Sequence, residues 1–465
     1  MGRRKTTRIS GYAKALAGSM LVVAVAITVV LVTYRHFDHA TFDQSFSPYT
    51  IVGSTTGRIN AISCPSPGFC VAGGTWGSAH LMTERNGSWS QPVEVTPVIP
   101  GEQAGLSALN DVTCWNTGDC AAVGQVVLNR TGSPYVGDKW ESFIVTESRG
   151  RWGLPQILYP LESSLSLTLI RCWQANNCIV GGTLSKTDAP GELSSAVVGR
   201  EYGTRWTNLK RITADTEGGV LTSAACTRDG IECIVSGYTS ADGLVSSLYQ
   251  GRWITSRISS PHIQQSNSTV SLWSSSCAGN SFCSAAGYRG ASNSTTHSAM
   301  VVVTVDSGSE HVDMSVNLGQ LARSTVGSGA QGISCWQANQ CLVVGSSQDY
   351  RGVQHGLGIV VMNRRIVPFE IGNNLIAVSC TQNAACTVVG EGVNETDDTI
   401  FLFGHRGVER AVHVAHQTIA GVIDVISCSG NGDCTAGGYL SLTGDGLNNM
   451  PALVSVQQGV LHAVQ

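Results

Sequence analysis

The stretch CWQANNCIVGG at residues 172–182 returns almost unchanged as CWQANQCLVVG at residues 335–345. In both copies five residues separate two cysteines, and a glycine stands four residues after the second cysteine. Such a duplicated phrase suits either a metal or redox site used twice, or a structural unit that the architecture repeats. The rest of the chain favours the repeated unit, because the same pattern occurs eight times.

All sixteen cysteines fall into eight close pairs, seven of them C-x5-C and one C-x6-C. The pairs are Cys64/Cys70, Cys114/Cys120, Cys172/Cys178, Cys226/Cys233, Cys277/Cys283, Cys335/Cys341, Cys380/Cys386 and Cys428/Cys434. The glycines that follow them are Gly74, Gly124, Gly182, Gly237, Gly287, Gly345, Gly390 and Gly438. Glycine usage of about 7% in ordinary proteins does not produce eight hits in eight copies.

Each copy contains four short β-rich runs in the same order. An apolar run such as INAISC (59–64) ends at the first cysteine, and after a short turn a second run begins at the partner cysteine. A variable loop leads to a third run such as SAHLMTE, and a tight turn leads to a fourth such as SWSQPVEV. Four strands per unit of about fifty residues predict an all-β, eight-bladed β-propeller, with a seven-bladed ring as the alternative.

The turn before the fourth run often has glycine shortly before tryptophan, as in NGSW, RGRW, YGTRW and QGRW. This pattern resembles a degenerate Asp-box, the S-x-D-x-G-x-T-W turn of sialidase-like propellers, although the Asp is absent from these turns. The half-repeat SC-x5-C-x-A/V-x-G resembles repeats of secreted and surface-anchored actinobacterial propeller proteins. The resemblance covers residues 58–465 and implies a propeller fold.

Three roles compete for the cysteines. A structural zinc site needs four ligands that converge on one ion, whereas each pair here lies one repeat away from the next. Redox catalysis favours a C-x-x-C motif, and the chain has none. Two residues that flank a hairpin turn are readily at disulfide distance, so we predict eight disulfides, one within each blade and each at a short turn of the same rim.

The first 34 residues have a different character. Residues 1–14 contain five basic residues and no acidic ones, and the uncharged run ALAGSMLVVAVAITVVLVTY occupies residues 15–34. Twenty helical residues span a hydrocarbon core of about 30 Å. We therefore predict a cytoplasmic tail (1–14), a transmembrane signal anchor (15–34), a linker (35–57) and a propeller (58–465). A removed signal peptide is the alternative for residues 15–34. The basic flank places the protein in the cell membrane as a single-pass chain with an extracellular propeller.

The net charge of −4 and the low content of charged residues, 13%, exclude an overall electrostatic attraction to nucleic acid. The loops between second and third runs are long and dissimilar, and variable loops on a rigid scaffold are where binding usually occurs. We expect this rim and the channel mouth to form the ligand face. The candidate residues are Tyr135, Asp138, Asp188, Asp242, Tyr288, Arg289, Asp349, Tyr350, Arg351, Asp397, Asp398 and Asp445.

Some residues have both a functional and a structural interpretation. Trp115, Trp173 and Trp336 could form a sugar platform, but we favour rings that cover the disulfide of their own hairpin. Arg171 and Asp111 are predicted near the channel, where an ion pair is the simpler role. The cluster EGVNETDD (391–398) offers oxygen ligands for Ca²⁺, but it lacks the D-x-D-x-D-G pattern, so we expect no cofactor.

No catalytic motif is present: G-x-S-x-G, H-E-x-x-H and the P-loop are all absent. We also find no F/Y-R-I-P stretch, as a sialidase-like enzyme would have near the start of its propeller. The sequence therefore predicts a non-catalytic module that recognises or scaffolds an envelope protein or glycan, with a sialidase-like glycoside hydrolase as the alternative.

Overall fold

The computed structural model describes residues 42–43, 50–51, 56–99, 103–129, 139–159, 164–185, 194–203, 205–214, 216–259, 268–291, 298–306, 312–317, 325–362, 365–391, 398–404, 407–414, 420–441, 449–457 and 460–462. The strands in this part of the chain form eight sheets of four or five strands, and in each sheet the strands of one repeat lie in chain order. This arrangement confirms the predicted all-β propeller. The predicted anchor at residues 15–34 lies outside the described residues, among which no helix has the length and apolar character needed to cross a bilayer.

The strands of blades 1 to 4 follow the four-run order of the repeat, and in blades 1 to 3 the outer strand is split in two. Blade 1 contains β3 (Gly57–Ser66), β4 (Phe69–Trp76), β5 (Ser78–Arg85), β6 (Ser88–Trp89) and β7 (Val93–Glu94). Blade 2 contains β8 (Gln103–Asn116), β9 (Asp119–Asn129), β10 (Lys139–Ser148), β11 (Arg151–Trp152) and β12 (Gln156–Ile157). Blade 3 contains β13 (Ser164–Gln174), β14 (Asn177–Ser185), β15 (Ser195–Tyr202), β16 (Arg205–Trp206) and β17 (Lys210–Arg211). Blade 4 contains β18 (Val220–Cys226), β19 (Glu232–Tyr238), β20 (Gly243–Tyr249) and β21 (Arg252–Ile258).

Blades 5 to 8 repeat the same order. Blade 5 contains β22 (Ser268–Ala278), β23 (Phe282–Ala291), β24 (Ala299–Asp306) and β25 (Val312–Asn317). Blade 6 contains β26 (Thr325–Gln337), β27 (Gln340–Asp349), β28 (Gln354–Met362) and β29 (Arg365–Glu370). Blade 7 contains β30 (Asn374–Cys380), β31 (Cys386–Glu391), β32 (Asp398–Gly404) and β33 (Gly407–Val414). Blade 8 contains β34 (Ala420–Cys428), β35 (Cys434–Ser441), β36 (Asn449–Gln457) and β37 (Val460–His462).

Two short strands that precede blade 1 join the last two blades. β1 (Phe42–Asp43) pairs in parallel with β33, and β2 (Thr50–Ile51) pairs antiparallel with β36. Since β37 also pairs with β36, strands from both sides of the repeat region contribute to the outer edge of blade 8.

The buried apolar residues in the described part of the chain form eight clusters, and each lies between two neighbouring blades. The cluster between blades 8 and 1 joins Ile59 and Ala72 to Leu453 and Val425, so the ring is closed. Because every blade buries its faces only against its neighbours, the sheets are stable as a ring rather than singly.

The two rims of the ring differ. We call the rim that carries the turns between first and second strands and between third and fourth strands the cysteine rim, and the opposite one the loop rim. All eight predicted disulfides form on the cysteine rim, each within one blade and with Cα atoms 4.0–4.2 Å apart. In the chain-entropy account each disulfide that closes such a small loop raises the free energy of unfolding by about 2 kcal/mol, and the eight contributions do not simply add.

The second cysteine of each pair stands at the start of the second strand, as the sequence predicted. Every second cysteine is buried, with at most 5% of its surface exposed. These buried cysteines are Cys70, Cys120, Cys178, Cys233, Cys283, Cys341, Cys386 and Cys434. The physical reason is that each one begins the second strand of its blade, and neighbouring blades cover that strand.

The contacts of the second cysteines show which blade covers them. Cys120, Cys283 and Cys341 belong to the apolar clusters that blades 2, 5 and 6 share with the preceding blade. Cys70 of blade 1 contacts blade 8, where its Sγ lies 3.5 Å from the Oγ1 of Thr435. The disulfides are therefore part of the core between blades, and we assign them a structural role rather than a place in a ligand site.

Every inner strand contains a β-bulge at the same place, four residues before its first cysteine. In blade 1, Ile59 pairs with Gly74 and Ala61 pairs with Gly73, which leaves Asn60 as the extra residue. We call the extra residue the bulge residue of its blade. A bulge bends its strand and re-aims a side chain.

The bulge explains the repeated glycine. Each of the eight glycines lies opposite the residue that precedes the bulge, and a Cβ built there would stand only 1.8–2.4 Å from a carbonyl oxygen of the inner strand. No side chain fits at that distance, so the bulge and the glycine require each other.

A second repeated contact joins the inner strands of neighbouring blades. In six blades the residue before the first cysteine is Ser or Thr, and its hydroxyl accepts a hydrogen bond from the N–H of the next blade's first cysteine. Ser427 of blade 8 binds Cys64 N of blade 1 at 3.0 Å and so closes the ring. The exceptions are Arg171 and Ala225.

We expect Gly182→Ala to lower the free energy of unfolding by about 2–3 kcal/mol, because its Cβ would meet Ser166 O at 2.0 Å. Gly153→Ala is the matched control, since its Cβ would meet only Thr146 O at 3.4 Å. Denaturant unfolding of both variants measures the difference. Equal stabilities would show that the backbone at Gly182 gives way freely.

We expect Ser379→Ala to cost about 1–3 kcal/mol, because Cys428 N, which donates to this hydroxyl at 3.0 Å, loses its acceptor. Ser88→Ala, at the exposed first residue of β6, should change the unfolding free energy by less than about 0.5 kcal/mol. The same denaturant series tests this, and a neutral Ser379→Ala variant would contradict the role of the hydroxyl.

Candidate functional site

The bulge residues of blades 1 to 4 are all hydrogen-bond donors. They are Asn60, Asn110, Thr168 and Thr222, and each donates to the main-chain carbonyl of the next blade's inner strand, at 2.7–3.2 Å. This half of the ring is therefore tied together by side chains as well as by apolar packing.

The bulge residues of blades 5 to 8 are of different types: Trp273, Gln331, Ile376 and Asp424. All four line one cavity of about 580 Å³. Because blades 5 and 8 are three steps apart in the ring, residues of both can share a cavity only where they converge over the channel. The other lining residues are Tyr288, Ser298, Ser328, Gly329, Ala330 and Ser346. The volume lies in the range of small-molecule pockets.

An aromatic pair lines one wall of this cavity. The ring of Trp273 is stacked on that of Tyr288, with centroids 6.5 Å apart and planes 15° apart. The ring of Tyr238, which is not part of the cavity lining, lies 5.8 Å from that of Trp273. Trp273 remains 43% exposed, so a large apolar ring faces solvent in a concave site. Such a surface accepts the flat apolar face of a ligand.

The opposite wall carries a carboxyl group. Asp424 forms an ion pair with Arg58 of blade 1, whose guanidinium also lies over the ring of Tyr439 at 5.8 Å. Burial raises the pKa of Asp424 to about 6, although the Arg58 charge acts to lower it. This carboxyl group can therefore donate a hydrogen bond below that pH and accept one above it.

The raised pKa of Asp424 predicts a pH dependence of stability. Between pH about 4 and 6 the folded chain keeps a proton that the unfolded chain has lost, so the free energy of unfolding falls as pH rises. Half-buried Glu201 acts in the same direction, since burial raises its pKa to about 7. Asp424→Asn should remove only the Asp424 contribution and flatten the slope between pH 4 and 6. Chemical denaturation at several pH values tests this, and an unchanged slope would mean that Asp424 is ionised throughout.

Of the sequence-predicted candidates, Tyr288 lies in the cavity. Asp242 and Asp349 belong to tight turns of the loop rim: Asp242 N donates to Thr239, and Asp349 accepts from the N–H groups of Arg351 and Val353 at 2.8 and 2.9 Å. Although burial acts to raise the pKa of Asp349, these bonds and the neighbouring His355 hold it below the usual value.

The remaining candidates stand apart from the cavity or beyond the described residues. Arg351 lies over the exposed ring of Tyr350 at 5.3 Å, and Arg289 lies in β23 without lining the cavity. Asp398 pairs with Glu391 and Val414 through its backbone. The candidates outside the described residues are Tyr135, Asp138, Asp188, Asp397 and Asp445.

Asp111 and Arg171 form the ion pair that the sequence favoured, with Nη1 and Oδ2 2.6 Å apart. Asp111 also accepts the N–H of Ile170 from the next blade at 2.8 Å. Both contacts join blades 2 and 3, so this pair has a structural role.

The tryptophans after the first cysteines are also structural, but not in the predicted way. Trp115 packs against the cluster that holds Cys172 and Cys178, and Trp173 packs against the cluster that holds Cys226 and Cys233. Trp336 follows the same rule in blade 6. Each ring thus covers the next blade's cysteine pair rather than its own, because the hairpin tips overlap around the ring.

Sequence reasoning missed Trp273, Gln331, Ile376 and Asp424. A signal was present, because the residue four positions before the first cysteine reads Asn, Asn, Thr, Thr, Trp, Gln, Ile, Asp around the ring. Without the bulge, however, an alternating strand does not show which face this position occupies.

Among the described residues no three His, Cys, Asp or Glu side chains come together as a metal site. The predicted Ca²⁺ alternative at residues 391–398 lies almost wholly outside the described part of the chain.

No family model matches the chain, and no curated protein matches it in sequence. Several solved structures are similar in fold. YCF48 bound to a D1 peptide aligns with a TM-score of 0.40 at 12% identity, over 89% of this chain and 96% of that one. The β-propeller domain of the Trilobed protease from Pyrococcus furiosus aligns with a TM-score of 0.44 at 9% identity, over 77% of this chain and 97% of that one. The xyloglucanase from Xanthomonas campestris aligns with a TM-score of 0.44 at 9% identity, over 85% of this chain and 68% of that one. At this identity the likeness concerns the fold alone.

Proposed function

We propose that this chain is a membrane-anchored, extracellular propeller that recognises a glycan of the cell envelope in the cavity over its channel mouth, without catalysis. The observation that carries the proposal is the exposed ring of Trp273, stacked on Tyr288 at the wall of a concave site. The anchor and the likeness to surface-attached, sialidase-like propellers are predictions from the sequence alone.

The chemistry of the cavity suits a sugar better than a purely apolar ligand. Aromatic rings pack against the C–H face of a pyranose, and hydroxyl and amide groups satisfy its hydroxyls. Here Ser298, Ser328 and Ser346 supply hydroxyls and Gln331 an amide. Asp424 adds a group that donates or accepts according to pH.

The alternative, a glycoside hydrolase, needs two carboxyl groups, about 5 Å apart in a retaining enzyme. Among the described residues that line the cavity, Asp424 is the one carboxylate. Recognition without turnover is therefore the function that the described walls support.

The test is a glycan array probed with the full chain, followed by affinity measurements on the glycans that bind. We expect Trp273→Ala to weaken binding about tenfold, because it removes the stacking ring. Trp140→Ala is the matched control, since Trp140 is similarly exposed, at 36%, but belongs to blade 2 and does not line the cavity. Equal loss in both variants would contradict the proposed site.

Two other outcomes would replace the proposal. Hydrolysis of a bound glycan, abolished by Asp424→Asn, would favour the glycosidase. Binding of an envelope protein that survives Trp273→Ala, with no glycan bound, would favour a scaffold that uses another surface.

A further inference from the structure

Six arginines project from the cysteine rim of four consecutive blades. Five come from turns between third and fourth strands and one from the disulfide loop of blade 4, and all are exposed: Arg85, Arg149, Arg151, Arg205, Arg228 and Arg252. Their spread over blades 1 to 4 makes a broad basic surface, which we call the arginine rim.

These positive charges are poorly neutralised. Arg85 binds Glu147 at 3.0 Å yet stays 47% exposed, and in the described part of the chain the other five form no ion pair. On the loop rim three cations, Arg58, Arg257 and His355, each face a carboxylate, while Arg351 lies over the ring of Tyr350.

The carboxylates of the same surface are few and engaged. Glu84 and Glu147 are buried, and Asp119 accepts the N–H of Arg149 at 3.1 Å. Asp229 accepts from Thr227 Oγ1 at 2.8 Å, and Glu201 is half-buried. Within the described part of this surface, six exposed guanidinium groups therefore outnumber the carboxylates that reach solvent.

The path of the chain tells which way this rim faces. β33 runs from the cysteine rim towards the loop rim, and β1 runs parallel to it, with Phe42 opposite Ala411. Phe42, the first residue of β1, is therefore at the end of β1 that is nearer the cysteine rim. The predicted anchor ends at Tyr34, and eight extended residues reach at most about 28 Å.

We propose that the arginine rim is a docking surface for an anionic lipid bilayer, which it contacts through lipid phosphate groups. Guanidinium groups bind phosphate oxygens in a bidentate geometry, and basic surfaces near a membrane are drawn to anionic lipids. The loop rim, with the cavity, then faces away from the membrane. The proposal shares the predicted anchor with the proposed function but does not depend on the cavity ligand.

The test reconstitutes the full chain in vesicles of phosphatidylcholine alone or with phosphatidylglycerol, and maps arginine modification by phenylglyoxal with mass spectrometry. We expect the six rim arginines to react about fivefold less in the anionic vesicles, and this protection to fade at high salt as charges are screened. Arg257 and Arg351 on the loop rim are internal controls and should react equally in both lipids.

A charge-reversed variant sharpens the result. Arg151→Glu with Arg205→Glu should abolish the protection of the remaining rim arginines, whereas Arg351→Glu should leave it intact. Both rim side chains are exposed and form no ion pair among the described residues, so the fold should tolerate the change.

Three outcomes would overturn the proposal: equal reactivity of the rim in both lipids, protection of the loop rim instead, or protection by soluble polyphosphate but not by anionic vesicles. Glycan binding measured in detergent would be unaffected by any of these, so failure here and failure of the proposed function can be told apart.

Discussion

The ring depends on one backbone constraint, the bulge in every inner strand. An extra residue in the first strand pushes a carbonyl oxygen towards the second strand, to within 1.8–2.4 Å of where a Cβ would stand. Only glycine is compatible with that approach, which is why glycine occupies this position in all eight blades. The bulge also turns one side chain per blade towards the neighbouring inner strand. A single local distortion thus sets both the repeat signature and the inner surface of the ring.

Neighbouring inner strands are joined by side chains, not by a shared backbone ladder. Two contacts serve this purpose: the bulge residue donates to a carbonyl of the next blade, and the hydroxyl before the first cysteine accepts an N–H from it. The interface between blades 1 and 2 and the interface between blades 2 and 3 have both contacts. Interfaces 3–4 and 4–5 lack the hydroxyl, at Arg171 and Ala225, but keep Thr168 and Thr222.

The sequence predicted the repeat, the strand order and the disulfide pairing, because these follow from spacing and from the local geometry of a hairpin. It also placed Asp111 and Arg171 near the channel with an ion pair as the simpler role, and the two form one. It did not find Trp273 or Asp424, because a bulge shifts side-chain alternation by one residue and the shift is invisible in a hydrophobic pattern. Trp115 was assigned to the wrong disulfide, since overlap between hairpin tips is a property of the assembled ring.

The asymmetry of the ring shows how a cavity can arise in it without loss of closure. Among the described residues of blades 5 to 8, no bulge residue donates to a main-chain carbonyl of the next blade, although Gln331 donates to the side chain of Asn374 and Asp424 pairs with Arg58. The interfaces of these blades keep the hydroxyls of Ser276, Ser334, Ser379 and Ser427. Because the stability of a repeat protein is a sum of nearest-neighbour terms, an interface that retains one bridge tolerates loss of the other. Without the bond to a main-chain carbonyl, the four bulge positions can carry an indole, an amide, an alkyl group and a carboxyl, and these line one cavity. Structural redundancy in the inner ring is thus what makes room for a binding site at its mouth.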